Sequence, residues 1–335
     1  MSNKRLWAVL SLLALFTVGL VIHDELNIDG SPKDKRVVKV GVLQYVTHEA
    51  LDDIYHGIKD ELAKEGYSGN KIEIQFLNAE GDQSKISTMS KQLADGDNDV
   101  LIGIATPAAQ GLANATSDTP VVMGAISDPV GAKLVTNLKR PEGNVTGTSN
   151  QIPIDQTVDL IRTLTPNTKT VGILYASSED NSVSQVEGFS KSAKAAGLDV
   201  KIYAVPSTNE ITTTMNVLSK EVGALWIPQD NTIASAFTTV ASIAQANKLP
   251  IYPSVDTMLK EGGLASVYQS QYQLGVETGK IAGQILQGKK VADVPVKVVD
   301  TGSPAVNLSV ADKLGISIPD SILKEANKSG LVIKK

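Results

Sequence analysis

The chain has 335 residues, of which 42% are hydrophobic, and it carries no cysteine and a formal net charge of −5. This length accommodates two domains of ordinary size, and the lack of cysteine excludes disulfides, thiolate metal sites and cysteine nucleophiles. The acidic balance and an aromatic content of only 4% argue against a nucleic-acid partner, because there is neither a basic surface nor a set of stacking rings.

The first 35 residues predict an export segment followed by a polar linker. Lys4 and Arg5 precede an uncharged run over residues 6–22, which is almost long enough to cross a bilayer. The positive flank would keep the first residues cytoplasmic and send the rest outward. Since no A-x-A-like cleavage site follows, we expect an uncleaved signal anchor that tethers an extracytoplasmic protein to the membrane; cleavage and release is the alternative.

Strands and helices alternate along the first half of the remaining chain. The patterns of apolar residues predict strands at 37–43, 71–78, 99–104, 121–125 and 143–148. Helical spacing predicts helices at 48–64, 82–94 and 107–115.

The second half repeats this alternation. Strands are predicted at 171–175, 200–205, 224–227, 250–252 and 263–268, and helices at 154–164, 182–196, 210–218, 232–246 and 272–286. Two further helices, at 310–314 and 320–328, are predicted in the tail.

The two halves follow one plan. Gly41 lies in the first strand of one copy and Gly172 in the first strand of the other, while Pro120 and Pro250 precede the last strands; both pairs are offset by about 130 residues. Alternating strands and helices favour parallel sheets built by right-handed crossovers. The sequence therefore predicts two similar α/β lobes, and ligands favour the cleft between such lobes.

Enzyme signatures are missing from the sequence. It contains no G-x-S-x-G elbow, no phosphate-binding G-x-x-x-x-G-K-[ST] loop and no G-x-G-x-x-G fingerprint. His48-Glu49 begins like a zinc-protease motif, but Asp52 stands where the second histidine belongs. We therefore expect no enzyme activity, no metal site and no cofactor.

Polar side chains recur instead where each predicted strand ends. In open α/β sheets ligands bind at the carboxyl edge, and helix N-termini there attract anions. The candidate ligand-binding residues at this edge are Gln44, Tyr45, Thr47, Thr106, Pro107, Ser127, Asp128, Tyr175, Ser177, Asn181, Asp230, Asn231, Asp256 and Tyr268.

Several of these residues have a second interpretation. Thr106 and Asp230 each precede a predicted helix, so each could serve only as its N-cap. A tyrosine such as Tyr45 could pack at the rim rather than touch a ligand. Trp226 lies inside a short strand, where packing in the core is favoured over stacking on a ligand.

Four segments together resemble the solute-binding proteins of ABC importers, and more narrowly the subfamily that includes streptococcal tryptophan-binding proteins. They are Ile102–Gln110, Ser127–Gly131, Gly143–Gly147 and Ile227–Thr232, and the opening Gln44–Asp52 fits as well. The resemblance covers about residues 37–320. One departure is the lack of the lipobox cysteine that Gram-positive members often carry.

The resemblance implies a type I periplasmic-binding fold, in which two Rossmann-like lobes with parallel sheets are joined by a hinge of about three crossovers. We expect lobe 1 to comprise residues 36–149 and about 254–290, and lobe 2 to comprise 150–253 and about 291–335. The lobes would close over a ligand like a flytrap, and the resemblance adds Asn150 to the residues expected to line the cleft.

The resemblance also implies a function, which is the capture of an amino acid, tryptophan or another aromatic one, and its delivery to an ABC permease with its ATPase. Thr106 would hold the carboxylate, Asp230 or Asp256 the ammonium, and Tyr45 or Tyr175 the ring. The alternative is a ligand-sensing module for a membrane receptor. We expect a monomer, because a flytrap needs free lobes.

Overall fold

The computed structural model describes residues 36–329 and 331–334, so the predicted membrane anchor and most of the linker lie outside the described residues. Within those ranges, no helix combines the length and the apolar character that crossing a bilayer requires.

The first lobe is built on a six-stranded sheet whose neighbouring strands are all parallel. In chain order its strands are β1 (Val38–Gln44), β2 (Ile72–Asn78), β3 (Val100–Ile104), β4 (Val121–Ile126), β5 (Val145–Asn150) and β11 (Lys297–Val299). They lie in the order β11-β5-β4-β3-β1-β2.

Four helices flank this sheet: α1 (Glu49–Lys64), α2 (Gln83–Asp95), α3 (Thr106–Ala115) and α10 (Gln271–Leu286). Helix α10 returns from far along the chain and packs against α1. The contact depends on glycine, because a Cβ on Gly57 would lie 2.2 Å from the Tyr272 carbonyl oxygen, and one on Gly275 would lie 2.1 Å from that of Ile54. This close approach brings the N-terminal ends of two helices to one edge of the sheet.

The second lobe contains a parallel four-stranded sheet in the order β7-β6-β8-β9 and a three-stranded sheet in the order β10-β12-β13. The strands are β6 (Thr170–Ala176), β7 (Asp199–Val205), β8 (Ala224–Ile227), β9 (Ile251–Pro253), β10 (Ala265–Tyr268), β12 (Ser303–Asn307) and β13 (Val332–Ile333). The helices are α4 (Ile154–Leu164), α5 (Asp180–Ala195), α6 (Ile211–Leu218), α7 (Asn231–Ser235), α8 (Phe237–Ala246), α9 (Asp256–Glu261), α11 (Leu308–Leu314) and α12 (Asp320–Ser329).

The predicted doubling is confirmed by the strand order. In the first lobe β1 lies between β2 and β3, and in the second β6 lies between β7 and β8. Strand β8 is buried throughout, and its side chains alternate between two hydrophobic clusters, one on each face of the sheet. Burial on both faces is typical of a parallel sheet covered by helices on two sides, so the α/β fold class is confirmed.

Trp226 packs in the core, as the sequence favoured. Its side chain is fully buried, and its ring stacks on that of Phe189 with the centroids 4.0 Å apart and the planes 6° from parallel. This indole therefore stabilises the second lobe and is not a cleft residue.

Three crossovers join the lobes, after β5, after β10 and after β11. The side chain of Gln269, on the second crossover, ties them together. Its Nε2 donates to the carbonyl oxygens of Gln151 and Val299 at 2.9 and 2.8 Å, one on each of the other two crossovers. The number of crossovers agrees with the expectation.

The lobe boundaries differ from those expected. Residues 254–268 were assigned to lobe 1, but β10 pairs with β12 and Leu264 N donates to Ile251 O of β9, so this segment belongs to lobe 2. Conversely, β11 was assigned to lobe 2 and pairs with β5 of lobe 1. Short strands formed by distant pairing, such as β11 and β12, leave too little local pattern to be predicted.

One predicted helix is also divided in two. The segment 232–246 forms α7 and α8, because Ala236 between them has ψ of 19°, outside the helical range.

Candidate functional site

A small cavity of about 30 Å³ lies between the two lobes, at the carboxyl ends of their parallel strands. Lobe 1 supplies His48, Ala50, Leu51, Ile54, Ala105, Thr106, Ala125, Ser127, Asn150 and Gln271. Lobe 2 supplies Asn181, Gln229, Asp230, Asn231, Ala234 and Val255. None of the described residues that line the cavity is a lysine or an arginine, and the acidic side chain among them is the carboxyl group of Asp230.

Six of the predicted site residues are brought together here: Thr106, Ser127, Asn150, Asn181, Asp230 and Asn231. They come from both lobes and from segments far apart in the chain. The topology explains the result, because the carboxyl ends of neighbouring parallel strands meet at one edge.

The other nine predicted residues do not line the cavity. Five of them lie in lobe 1. Gln44 is buried and donates to Asp52 Oδ1 at 2.8 Å, and Tyr45 is buried with its hydroxyl donating to Gly81 O at 3.4 Å. Thr47 is exposed and accepts from Asn78, while Pro107 is buried in the first turn of α3. Asp128 lies outside the cavity lining and contacts the opposite lobe, as described below.

The remaining four belong to lobe 2. Tyr175 is half-buried against the hydrophobic cluster of that lobe, and Ser177 is exposed. Asp256 is buried at the start of α9, with its Oδ1 unpartnered among the described residues. Tyr268 borders a separate groove behind the crossovers. Position at a strand end therefore does not ensure that a side chain reaches the cavity.

Backbone strain marks the lobe 1 wall of the cavity. Ala105 has φ of 75° and ψ of 157°, and Ala125 has φ of 59°, values that residues with a side chain rarely adopt. Ala105 directly follows β3, Ala125 is the penultimate residue of β4, and both line the cavity. Such strain is found where the surrounding structure enforces a functional geometry.

Helix α3 begins at this wall with Thr106. The first N–H groups of a helix have no partner within it, and Pro107 at the second position has no N–H at all. The side chain of Thr106 forms no capping hydrogen bond, because the helix begins one residue earlier than predicted and its N-cap is Ala105. Thr106 thus offers its hydroxyl and backbone N–H to the cavity rim together with the positive end of the helix dipole.

Unpaired polar atoms accumulate among the lining residues. Several buried side-chain atoms of the lining have no hydrogen-bond partner among the described residues. They include Ser127 Oγ, Asn150 Oδ1, Asn181 Oδ1, and Oε1 and Nε2 of Gln229. Each such atom costs about 1–3 kcal/mol unless something satisfies it. Their concentration around one cavity indicates a site that a polar ligand completes.

Asp230 carries the negative charge on the lobe 2 wall. Its Oδ2 accepts from Ala176 N and Ser182 Oγ, both at 2.7 Å, and its Oδ1 accepts from Ile233 N at 2.8 Å. The last bond makes it the N-cap of α7, so the capping interpretation is confirmed while the residue also lines the cavity. Burial raises the pKa of this carboxyl, although its three donors act in the opposite direction.

Glu179 is a second buried acid on this wall that the sequence analysis missed. Its oxygens accept from the backbone N–H groups of Asn231 and Thr232 and from both of their side chains. Burial, and after it the nearby charge of Asp230, raises the pKa of Glu179 to about 7. The available signal was its place within the polar segment that follows β6, beside the predicted residues Ser177 and Asn181.

His48 is the second functional candidate that was missed. It is the N-cap of α1 in lobe 1, and its Nε2 lies 3.3 Å from Asn231 Oδ1 in lobe 2. Burial lowers the pKa of His48 to about 4, against the opposing effects of Asn231 and Asp52. The imidazole is therefore neutral at physiological pH. In the sequence it stands in an incomplete zinc motif and in the segment Gln44–Asp52 that fits the family, and neither pattern assigns it a contact with a ligand.

Direct contacts also bridge the rim of the cleft. Ser184 Oγ donates to Asp128 Oδ2 at 2.9 Å, and Gln110 Nε2 donates to Asp180 Oδ2 at 3.2 Å. On the other side, Lys260 Nζ lies 3.0 Å from Glu49 Oε1. These bonds hold the lobes together around the cavity and explain why Asp128, a predicted site residue, lies at the rim.

The described ranges contain no cluster of three histidine or acidic side chains that could hold a metal ion. The buried acids at this site are bound instead to N–H and hydroxyl donors. The arrangement suits binding of a small polar molecule.

Comparison with known proteins identifies the family. The ABC transporter substrate binding protein family matches residues 39–329. A tyrosine-binding protein of Clostridioides difficile is 35% identical over 274 residues, which is 82% of this chain and 79% of that protein.

Two solved structures add to this. An ABC domain from Streptococcus pneumoniae in complex with L-tryptophan is 57% identical, covers 88% of this chain and 99% of its own, and superposes with a TM-score of 0.86. A ligand-free, open substrate-binding protein with adhesive properties from Clostridium difficile is 33% identical, with 89% and 100% covered and a TM-score of 0.67. The chain therefore belongs to the family of ABC transporter substrate-binding proteins.

Proposed function

We propose that this chain is the extracytoplasmic binding protein of an ABC importer for an aromatic amino acid, with L-tryptophan as its foremost ligand. The observation that carries the proposal is the polarity of the interlobe cavity. Hydroxyl and N–H donors lie on the lobe 1 wall and a buried carboxylate lies on the lobe 2 wall. A zwitterion presents the complementary pair of charges.

The carboxylate of the ligand binds at lobe 1 in this proposal. Thr106 contributes its hydroxyl and the N-terminal end of α3, and Ser127 contributes a buried hydroxyl that has no other partner among the described residues. Helix N-termini favour anions because their free N–H groups and the helix dipole point toward them.

The ammonium of the ligand binds at Asp230. The sequence left a choice between Asp230 and Asp256, and the structure favours the former because Asp230 lines the cavity whereas Asp256 does not. A carboxylate that is fully buried and has no cationic side chain among its hydrogen-bond partners is stabilised when an ammonium group arrives.

The ring of the ligand packs on the apolar part of the lining, which comprises Leu51, Ile54, Ala234 and Val255. This replaces the expectation that Tyr45 or Tyr175 flanks the ring, because neither residue lines the cavity. The present cavity is smaller than an indole side chain, so the walls adjust around the ligand. Relatives that bind tryptophan and tyrosine support a large aromatic ligand.

Binding works by lobe closure. A ligand that touches both walls binds the closed arrangement better than the open one and shifts the population toward it. The rim contacts of Asp128 with Ser184 and of Glu49 with Lys260 stabilise that arrangement. The closed protein then delivers its ligand to a permease, acting as a monomer tethered to the membrane by its N-terminal segment.

A thermal-shift screen of the purified protein against the twenty amino acids, purines and common sugars tests this proposal. A ligand at 100 times its dissociation constant adds about 2.7 kcal/mol of stability. We expect a rise of a few degrees in melting temperature with tryptophan, or with tryptophan, tyrosine and phenylalanine. A response only to sugars or purines, or to no compound in the screen, contradicts the proposed ligand class.

A further inference from the structure

One ring nitrogen of His48, Nδ1, has no role in the binding scheme proposed above. Nδ1 is buried and has no hydrogen-bond partner among the described residues, while Nε2 faces Asn231 Oδ1 at 3.3 Å. His48 itself lines the cavity. The question is whether the unpartnered Nδ1 carries a proton or a lone pair.

The answer follows from the opposite lobe. Glu179 Oε2 accepts the backbone N–H of Asn231 and also the side-chain Nδ2 of that residue. In its ionised form this carboxylate presents only acceptors, and each of its oxygens already accepts a backbone N–H, so the NH2 end of Asn231 faces it. The carbonyl Oδ1 of Asn231 is therefore turned toward His48.

This orientation sets the tautomer of the histidine. Asn231 Oδ1 can only accept, so Nε2 of His48 must donate and carries the ring hydrogen. Because the imidazole is neutral in its buried position, Nδ1 then carries a lone pair. A buried acceptor without a donor is unfavourable by itself, which indicates that a donor arrives from elsewhere.

We propose that His48 Nδ1 accepts a hydrogen bond from a ring-borne N–H or O–H of the ligand, so that this residue selects tryptophan and tyrosine over phenylalanine. The assignment rests on the proposed function and makes His48 a specificity-determining residue. A site that hydrogen-bonds a polar ligand group discriminates strongly against an analogue lacking it, because the protein's own polar atom is then left unpaired.

Two ligands of nearly equal shape test the assignment on the unaltered protein. 3-Benzothienylalanine replaces the indole N–H of tryptophan by sulfur, and both are titrated by calorimetry. We expect tryptophan to bind about tenfold to a hundredfold more tightly, the effect of one buried hydrogen bond. Equal affinities for the two would overturn the assignment while leaving the proposed function intact.

Substitution of His48 tests the same hydrogen bond from the side of the protein. In His48→Phe the preference for tryptophan over its sulfur analogue should fall to less than about threefold, since no acceptor remains. His56, exposed on the same helix, provides the control, and His56→Phe should keep the full preference. A preference that persists in His48→Phe overturns the assignment. Failure of the parent protein to bind tryptophan or tyrosine overturns the proposed function and this inference together.

Discussion

The two lobes share one strand order but present opposite chemistry to the cleft. The edge of lobe 1 combines strained alanines, the start of α3 and a neutral histidine. The edge of lobe 2 holds two buried acids, Glu179 and Asp230. A duplicated scaffold can thus present complementary chemistry on its two halves, as the proposed zwitterion site requires, because the loops after equivalent strands differ while the sheets do not.

The two edges are stabilised by different means. In lobe 2 the acids are held by backbone N–H groups at the start of α7, so hydrogen bonds compensate the loss of solvation. In lobe 1 the hydroxyl of Ser127 and the amide oxygen of Asn150 stay unpaired among the described residues. Lobe 2 leaves Asn181 Oδ1 and both polar side-chain atoms of Gln229 unpaired among the described residues as well, so both walls can gain hydrogen bonds from a polar ligand.

The largest effect should come from removing the charge on lobe 2. Asp230→Asn keeps the shape of the side chain but eliminates the proposed partner of the ligand's ammonium group. We expect affinity for tryptophan to fall several hundredfold, the equivalent of about 3–5 kcal/mol for a broken buried ion pair. Calorimetric titration measures this loss.

Asp256→Asn is the matched control, because Asp256 is a buried acid of the same lobe that lies outside the cavity lining. Its affinity should stay within about threefold of the parent. If both variants bind like the parent, or if Asp256→Asn loses as much as Asp230→Asn, the assignment of the ammonium site is wrong.

A smaller effect should appear in the pH dependence of the free energy of unfolding. His48 on the lobe 1 wall and Glu179 on the lobe 2 wall should contribute with opposite signs. The pKa of His48 falls from 6.5 to about 4 on folding, so its contribution is complete above pH 6.5 and is lost as the pH falls toward 4. The pKa of Glu179 rises from 4.5 to about 7, so its contribution is complete below pH 4.5 and is lost as the pH rises through 7.

Comparing the parent protein with His48→Gln isolates the contribution of His48 to the pH dependence of stability, because both proteins contain the same acidic residues. The free energy of unfolding of the parent, relative to the variant, should fall by up to about 3 kcal/mol between pH 7 and pH 4. Urea denaturation at a series of pH values measures it. A difference between the parent and His48→Gln that does not vary with pH would show that His48 is not buried and neutral.

The smallest effect concerns the strained backbone of lobe 1. Glycine adopts the φ of 75° found at Ala105 without steric conflict, so Ala105→Gly should raise the free energy of unfolding by about 1 kcal/mol. Ala108→Gly, at the third position of α3, should lower it by at least about 1 kcal/mol, because glycine is less favourable in a helix and a buried methyl group is lost. Denaturation curves of both variants measure these changes. If Ala105→Gly loses as much stability as Ala108→Gly, the backbone at Ala105 is not strained.

Much of the fold and part of the site could be predicted from sequence. The apolar strands, the spacing of the helices and the repeated offset are local patterns, and the carboxyl edge of a parallel sheet follows from topology. These patterns are enough to place Thr106, Ser127 and Asp230 at the edge of the sheets where the cavity lies.

What escaped prediction depends on contacts between distant segments. Glu179 escaped prediction because its partner Asn231 lies 52 residues further along the chain. The contact between His48 and Asn231 joins residues that are 183 positions apart. Asp128 is held at the rim by Ser184, 56 residues along the chain. No local pattern encodes such pairs, so a strand-end position could not tell a lining residue from a rim residue.

The most direct test of the opposed walls is a calorimetric comparison of L-tryptophan with tryptamine, which lacks the carboxylate, and indole-3-propionate, which lacks the ammonium. We predict saturable 1:1 binding of tryptophan, and affinities at least about a hundredfold weaker for each analogue, because each loses its contact with one wall. Indole-3-propionate or tryptamine binding as tightly as tryptophan would contradict the account, as would the absence of any binding of tryptophan.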